Sequence, residues 1–210
     1  KFVAVACHYD IEEWLQPDWV IEPATGVFRR RSLQRQPPID IAISPIPYAA
    51  WSLFAPFHYL TADLHRAARC WGLFADGRLA AFAGMLHRPV SRKGKDARPI
   101  WGCSRLVTLP DFQGLGLAFV LIDAIGALYK ANGWRARTYP AHPSLVRAFD
   151  RSKKWALMKT PGEYSHAGAP SDRPGASAGT GGRPCAVFEY AGAAGDKEEA
   201  RRAFAYWNKL

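Results

Sequence analysis

Residues Arg105-Leu106-Val107-Thr108-Leu109-Pro110-Asp111-Phe112-Gln113-Gly114-Leu115-Gly116-Leu117-Ala118-Phe119-Val120-Leu121-Ile122 decide how this chain folds. A β-rich apolar run stops at a proline, the chain turns through two glycines, and a long apolar helical pattern opens behind them. Glycine lets the main chain approach a ligand closely. The first-turn amides of a helix have no intrahelical acceptor, and with the helix dipole they favour an anionic group such as a diphosphate. Two common phosphate motifs do not fit: G-x-x-x-x-G-K-[ST] is absent, and G-x-G-x-x-G would need a glycine at Phe119. The pattern that fits is Q/R-x-x-G-x-G/A, filled by Gln113, Gly116 and Ala118.

Upstream of this stretch the patterns predict a strand over Ile39–Ile46 and mostly helix over Tyr48–Cys70. Strands over Trp71–Asp76 and Arg78–Val90 then flank the hairpin pair Asp76-Gly77, and a basic loop, Ser91–Pro99, leads to a strand over Ile100–Leu109. Downstream they predict a helix over Gly114–Asn132 with Gly133 at its C-terminal cap and a strand over Arg135–Tyr139. A helix over Pro143–Ser152 and strands near Trp155–Lys159 and Cys185–Tyr190 follow. A terminal helix, Asp196–Leu210, carries Ala200, Phe204 and Trp207 at helical spacing and most simply packs onto the domain. An antiparallel hairpin followed by strand, helix and strand makes an α/β (α+β) fold with a mixed sheet.

The 210 residues carry a formal charge of +10, with 49% hydrophobic, 13% aromatic and 22% charged residues, which excludes a disordered chain and suits one domain, or one domain plus a fragment. Cys7, Cys70, Cys103 and Cys185 lie far apart with no C-x-x-C pair, so neither a metal site nor a disulfide framework is expected, and a reducing cytoplasm is the default. The most apolar run, Leu115–Tyr129, is too short for a bilayer and contains Asp123, so no membrane association is expected. Without an initial Met, and opening on the strand-like Phe2–Ala6, the sequence reads as starting partway through a larger polypeptide. Residues 29–38, basic and without hydrophobic period, read as a linker stretch. The expected division is a fragment at 1–33, a linker at 34–38 and a domain at 39–210, with a flexible Gly/Ala/Ser/Pro-rich loop at 162–184.

From Ile39 to Tyr190 the order of elements, together with Gln113, Gly116 and Ala118, resembles the GNAT N-acetyltransferase superfamily. The resemblance implies a mostly antiparallel twisted sheet flanked by helices and an acyl-CoA cofactor, acetyl-CoA or another acyl-CoA. It implies a pyrophosphate held by the amides of Gln113, Gly114, Leu115, Gly116, Leu117 and Ala118, and a pantetheine arm paired with the strand edge at Val107, Thr108 and Leu109. Phe149 stands where many members place a proton-donating Tyr, which leaves Ser144, Ser152 or a water for that step, or a thiolate that departs unassisted. General-base candidates near the expected cleft are His58, His87, His142 and Ser104, with His58 favoured because it lies in the aromatic cluster Pro56–Leu60. Tyr59, His87 and His142 are the expected acceptor-binding residues. The activity implied is N-acyl transfer to a primary amine. The alternative is a non-catalytic nucleic-acid-binding module with a degenerate acetyltransferase fold.

Phe2-Val3-Ala4-Val5-Ala6-Cys7-His8 followed by Asp18-Trp19-Val20-Ile21 and Gly26 resembles the end of an ABC-type ATPase domain, with His8 at the switch-histidine position and Asp18 opening the closing strand. The implied partner is an upstream ATPase domain. ATP hydrolysis by this chain is not expected without a Walker loop. Basic runs at Arg29–Arg35, Arg88–Arg98 and Arg147–Lys159, with Trp51, Trp101 and Trp134 as stacking surfaces, point to DNA or RNA as partner or acceptor.

Overall fold

In Arg78–Arg88 and Ile100–Thr108 nearly every position is apolar or small, the pattern of strands covered on both faces. The computed structural model describes residues 3–6, 12, 15, 17–30, 38–58, 62–88, 97–161 and 185–209, and the chain divides into two units, Lys1–Ile39 and Asp40–Leu210. In the first, β1 (Trp19–Glu22) and β2 (Val27–Arg30) form an antiparallel hairpin closed by a turn with Gly26 at φ +69°. Arg29 and Arg30, read from sequence as the start of the linker stretch, instead close β2, and Arg29 ion-pairs with Glu12, which offsets the self-repulsion of the basic run. His8, Tyr59, residues 34–37 of the expected linker and the loop 162–184 lie outside the described residues.

The second unit is a seven-stranded sheet of β3 (Ile41–Pro45), β4 (Arg69–Ala75), β5 (Arg78–Arg88), β6 (Ile100–Thr108), β7 (Arg135–Thr138), β8 (Trp155–Lys159) and β9 (Val187–Tyr190). Their order is β3-β4-β5-β6-β7-β9-β8, antiparallel throughout except for β6 against β7. This is the mixed, mostly antiparallel fold that the sequence implies. Asp76 and Gly77 both take positive φ, 48° and 74°, and Gly77 suits a two-residue turn whose twist matches the strands.

Helix over Tyr48–Cys70 is much shorter than expected. A 3-10 turn at Tyr48–Ala50, the short α1 (Trp51–Phe54) and a second 3-10 turn at Ala55–Phe57 make up its described helical part. Pro56 has no N–H to continue the α-helical ladder, and Ala62 and Leu64 are tied back by Trp51 Nε1 donating to the Ala62 carbonyl and Tyr48 Oη to the Leu64 carbonyl, both at 2.6 Å.

Helix α2 (Leu117–Ala131) buries Leu117, Leu121, Ile122, Ile125, Leu128 and Tyr129 against the sheet. It ends in a Schellman turn: Gly133, φ +76°, donates to the Lys130 carbonyl and Trp134 to that of Tyr129. Helix α3 (Pro143–Arg151) precedes β8, and α4 (Lys197–Ala205) packs Ala200 and Phe204 into the same core as α2. A separate core on Ile46, Trp51, Phe54, Leu64, Phe82 and Val107 includes α1. Trp51 and Trp101 are buried and Trp134 packs against the α2 core, so none offers a free ring to a base.

Candidate active site

The site begins with a bulge. Gly84 pairs with Arg105 and Met85 with Cys103, so Ser104 is an extra residue on β6. On the other side of β6 the parallel pairing with β7 runs from Ile100–Arg135 to Cys103–Thr138 and stops. The bulge and the end of pairing therefore meet at one point: the added residue bends β6, and Ser104 to Thr108 continue beyond the pairing with β7. Ser104 itself, half-buried, donates its hydroxyl to the Gly84 carbonyl at 3.0 Å, so that proton is committed to holding the bulge.

Which main-chain groups face the opening follows from the ladder. Leu109 N–H donates to the Ala80 carbonyl at 2.9 Å, which sets Leu109, Val107 and Arg105 as the residues bonded to β5. Alternation then turns the N–H and C=O groups of Leu106 and Thr108 away from β5. Of the expected edge residues, Thr108 faces the opening while Val107 and Leu109 are spent on β5, and Leu106 is an edge residue that the sequence did not single out. Strand register depends on the bulge, and a bulge leaves no clear mark in the sequence.

Beyond Thr108 the chain makes a 3-10 turn, Pro110–Phe112, that is pinned twice. Gln113 N–H donates to the Pro110 carbonyl at 3.1 Å, and its side-chain Nε2 donates to the Thr108 carbonyl, also at 3.1 Å. Gln113 thus shapes the loop rather than presenting an amide. Gly114 and Gly116 follow at φ +84° and +77°, and α2 opens three residues later than expected because neither glycine is helical. Among the described residues no hydrogen-bond acceptor meets the amides of Gly114, Leu115, Gly116, Leu117 and Ala118, and Gly116 lacks a side-chain cap. Gly114, Leu115 and Gly116 are exposed. An anionic group fits this row of donors, since the helix dipole adds to their attraction.

Helix α3 starts after β7 with His142 at its N-cap and Pro143 in its first turn. Phe149, in place of the expected proton donor, is buried between Phe119, Trp155 and Phe188, with ring centroids 4.8, 5.2 and 5.5 Å away. Ser144 Oγ instead lies 2.6 Å from His142 Nδ1, and both residues are exposed. His58 is half-buried, edge-on to Trp51 at 5.9 Å, while exposed His87 lies edge-on to Trp101 at 5.5 Å. Trp51 and Trp101 belong to different cores, so the structure does not gather the histidines into one cluster.

Arg135 and Arg137 both reach Glu189, through Nε and Nη2 of Arg135 at 2.9 and 2.8 Å and Nε of Arg137 at 2.7 Å. Burial opposes the charged carboxyl, but these hydrogen bonds outweigh it and hold Glu189 below the usual carboxylate range. Asp18, exposed, sits just before β1 in the first unit. Among the described residues no His, Cys, Asp and Glu cluster could hold a metal, and no helix is long and apolar enough to cross a membrane.

An opened strand edge that ends at a row of amides without acceptors has the shape and polarity for a slender ligand with an anionic head. Residues 9–139 match the model of the acetyltransferase (GNAT) family, and the chain belongs to that family. It is accordingly an N-acetyltransferase whose cofactor is acetyl-CoA. No curated protein matches the sequence. Among solved structures it is similar to the ribosomal-protein-S18-alanine N-acetyltransferase from Escherichia coli, with 14% identity, 75% of this chain and 97% of that one covered, and a TM-score of 0.47. It is also similar to the IAA acetyltransferase from Bacillus cereus, with 11% identity, 72% and 99% covered, and a TM-score of 0.47.

Proposed function

We propose that the enzyme acetylates a primary amine brought to the opening between β6 and β7. The observation that carries this reading is the continuity of two sets of main-chain groups, the Leu106 and Thr108 edge, on which only the Thr108 carbonyl is taken, by the Gln113 side chain, and the Gly114–Ala118 amides. In this reading the amides hold the diphosphate of acetyl-CoA, and the edge takes the pantetheine amides as an added strand would be taken. When bound, acetyl-CoA supplies a thioester carbonyl open to attack by an amine.

Protons are then handled by this chain's side chains. His58, half-buried beside Trp51, accepts the proton of the incoming amine. Ser144 Oγ, held 2.6 Å from His142 Nδ1, donates a proton toward the sulfur, and solvent returns a proton to Ser144 and takes up the one held by His58. Overall the nitrogen–carbon bond forms, the carbon–sulfur bond breaks with its electron pair on sulfur, and one proton passes from nitrogen to sulfur. Isothermal titration with acetyl-CoA tests the binding half: saturable heat that Gly116→Val removes supports it, and heat indifferent to that change rejects the site. Label from acetyl-CoA recovered on an amine tests the transfer half.

Exposed Arg147, Arg151 and Lys153 support an amine carried on DNA or RNA, although Lys154 of the same run is already paired with Asp123 at 2.9 Å. Label recovered in nucleic acid would support that acceptor, and label confined to protein or small amines would exclude it. For residues 1–33, only the sequence pattern of Phe2–Gly26 supports kinship with an ATPase end, and a family match that opens at residue 9 counts against it.

A further inference from the structure

We propose that the sheet face beside the β6–β7 opening is an anion-binding acceptor subsite built on Arg88 and Tyr139, so that the amine acetylated here carries a carboxylate or phosphate group. The inference rests on the acetyl-transfer reading and narrows its acceptor. Arg88 pairs with Ile100, which pairs with Arg135; Leu86 pairs with Gly102, which pairs with Arg137, and Arg137 pairs with Glu189. Residues directly opposed in neighbouring strands project to the same side, so Arg88, Arg135, Arg137 and Glu189 share one face.

Gly102 lies at the centre of that face. A Cβ there would come within 2.7 Å of a Tyr139 ring carbon and 2.9 Å of Arg88 Nε, so the missing side chain is what lets the two lie together. The Arg88 guanidinium carbon stands 5.4 Å from the Tyr139 ring centroid. Three arginines face one carboxylate, and Glu189 is already consumed by Arg135 and Arg137. Arg88 Nε is buried without a hydrogen-bond partner, and among the described residues no carboxylate pairs with its guanidinium. A guanidinium stacked on an aromatic ring and short of a counter-charge is arranged to receive a two-oxygen anion through its fork.

Position ties the subsite to the chemistry. Gly102 immediately precedes Cys103, the last β6 residue paired with β7. An acceptor anchored by its anionic end at Arg88 is therefore held next to the opening with its amine free to reach across. The transfer is the one already described, with nitrogen–carbon bond formation, carbon–sulfur cleavage and one proton moved from nitrogen to sulfur.

The test uses the full chain saturated with CoA, so that the amides at Gly114–Ala118 are filled, and titrates it calorimetrically with O-phosphoethanolamine, β-alanine and ethanolamine. We expect one or both anionic amines to bind at least tenfold more tightly than ethanolamine, and their ranking tells phosphate recognition from carboxylate recognition. Arg88→Ala should abolish the preference, and Arg88→Lys, which keeps the charge but loses the fork, should retain part of it. Equal affinities, no binding of any of the three, or a preference that survives Arg88→Ala overturns the proposal. CoA binding is measured first in every variant. Its absence from the unmodified chain would defeat the acetyl-transfer reading, whereas normal CoA binding without anionic preference defeats this inference alone and shows that the variant is folded.

Discussion

Ser144 and His142 are joined twice: the serine hydroxyl lies 2.6 Å from Nδ1 of the histidine, and the serine amide donates to the same nitrogen at 3.3 Å. His142 thereby caps α3, a task usually given to a shorter polar side chain, and holds the serine hydroxyl at the helix start.

If this pair delivers the proton to sulfur, Ser144→Ala should lower kcat by about 100-fold, the low end of what a positioned acid supplies, with the KM for acetyl-CoA unchanged. His142→Ala should lower kcat and also cost about 1 kcal/mol of stability through the lost cap. Because His142 acts by holding Ser144 in place, the double variant should be no slower than the slower single one. Steady-state release of CoA thiol measures this. Additive losses would mean that the residues act separately.

Two glycines provide a matched comparison. Gly116 and Gly133 stand at opposite ends of α2 with φ +77° and +76°, and a Cβ at either would meet nothing within 4 Å. Alanine at either position should therefore cost a similar backbone strain, about 1–2 kcal/mol. Acetyl-CoA affinity should fall at least tenfold in Gly116→Ala, where the strained turn presents the amides, and stay unchanged in Gly133→Ala. Urea unfolding gives the first quantity and calorimetry the second. Equal losses of affinity would mean that the loop matters only through stability.

Much of this architecture is legible in the sequence, for reasons that differ from element to element. The strand, turn and α2 were readable because Gly114, Gly116 and Gly133 punctuate an apolar stripe, and Asp76-Gly77 marks its hairpin by turn chemistry alone. The exposed glycine loop before α2 is readable as spacing. The usable strand edge was not, because Leu106 rather than Val107 faces the opening only by virtue of the extra residue at Ser104, a fact of pairing and not of composition. Helix over Tyr48–Cys70 was over-read because its apolar residues fit a helical face while Pro56 and the bonds to Ala62 and Leu64 end it early. The Arg88–Tyr139 contact joins residues from two strands across a third, and only the isolated Gly102 inside a strand pattern hinted at a close approach.

Stability should fall in alkaline solution, and the direction follows from two thiols. Burial pushes Cys70 and Cys103 up to about 12 from an ordinary 9.0. The folded protein therefore resists a deprotonation that the unfolded chain accepts above pH 9. Their stabilisation is complete below that pH and is lost as pH rises toward 12, each thiol weakening the fold by about 1.4 kcal/mol per pH unit in that window. Buried Tyr129 is shifted upward too and adds in the same direction at higher pH. The thermal midpoint should drop between pH 9 and 11, and less steeply in Cys103→Ala. An unchanged slope would show that this thiol does not contribute to the decline.

The C-terminal helix is held by a charge as well as by packing. The Arg69 guanidinium carbon lies 4.2 Å from the Trp101 ring centroid, 5.1 Å from Trp134, 5.7 Å from Phe204 and 5.4 Å from Trp207, so α4 and the turn after it supply two of its four rings. Tyr129 Oη, near Trp71 and Arg69, is the polar group beside that charge, and the four rings supply the rest of its surroundings. A desolvated cation–π contact contributes about 2 kcal/mol. Trp207→Ala should therefore destabilise the protein by about that amount plus its lost packing, and by clearly less in an Arg69→Met background, where an apolar side chain of similar length needs no ring. The coupling in this double-mutant cycle, read from urea unfolding midpoints, should be about 1 kcal/mol or more. Zero coupling would mean that Trp207 holds α4 by apolar burial alone and that the guanidinium is indifferent to it.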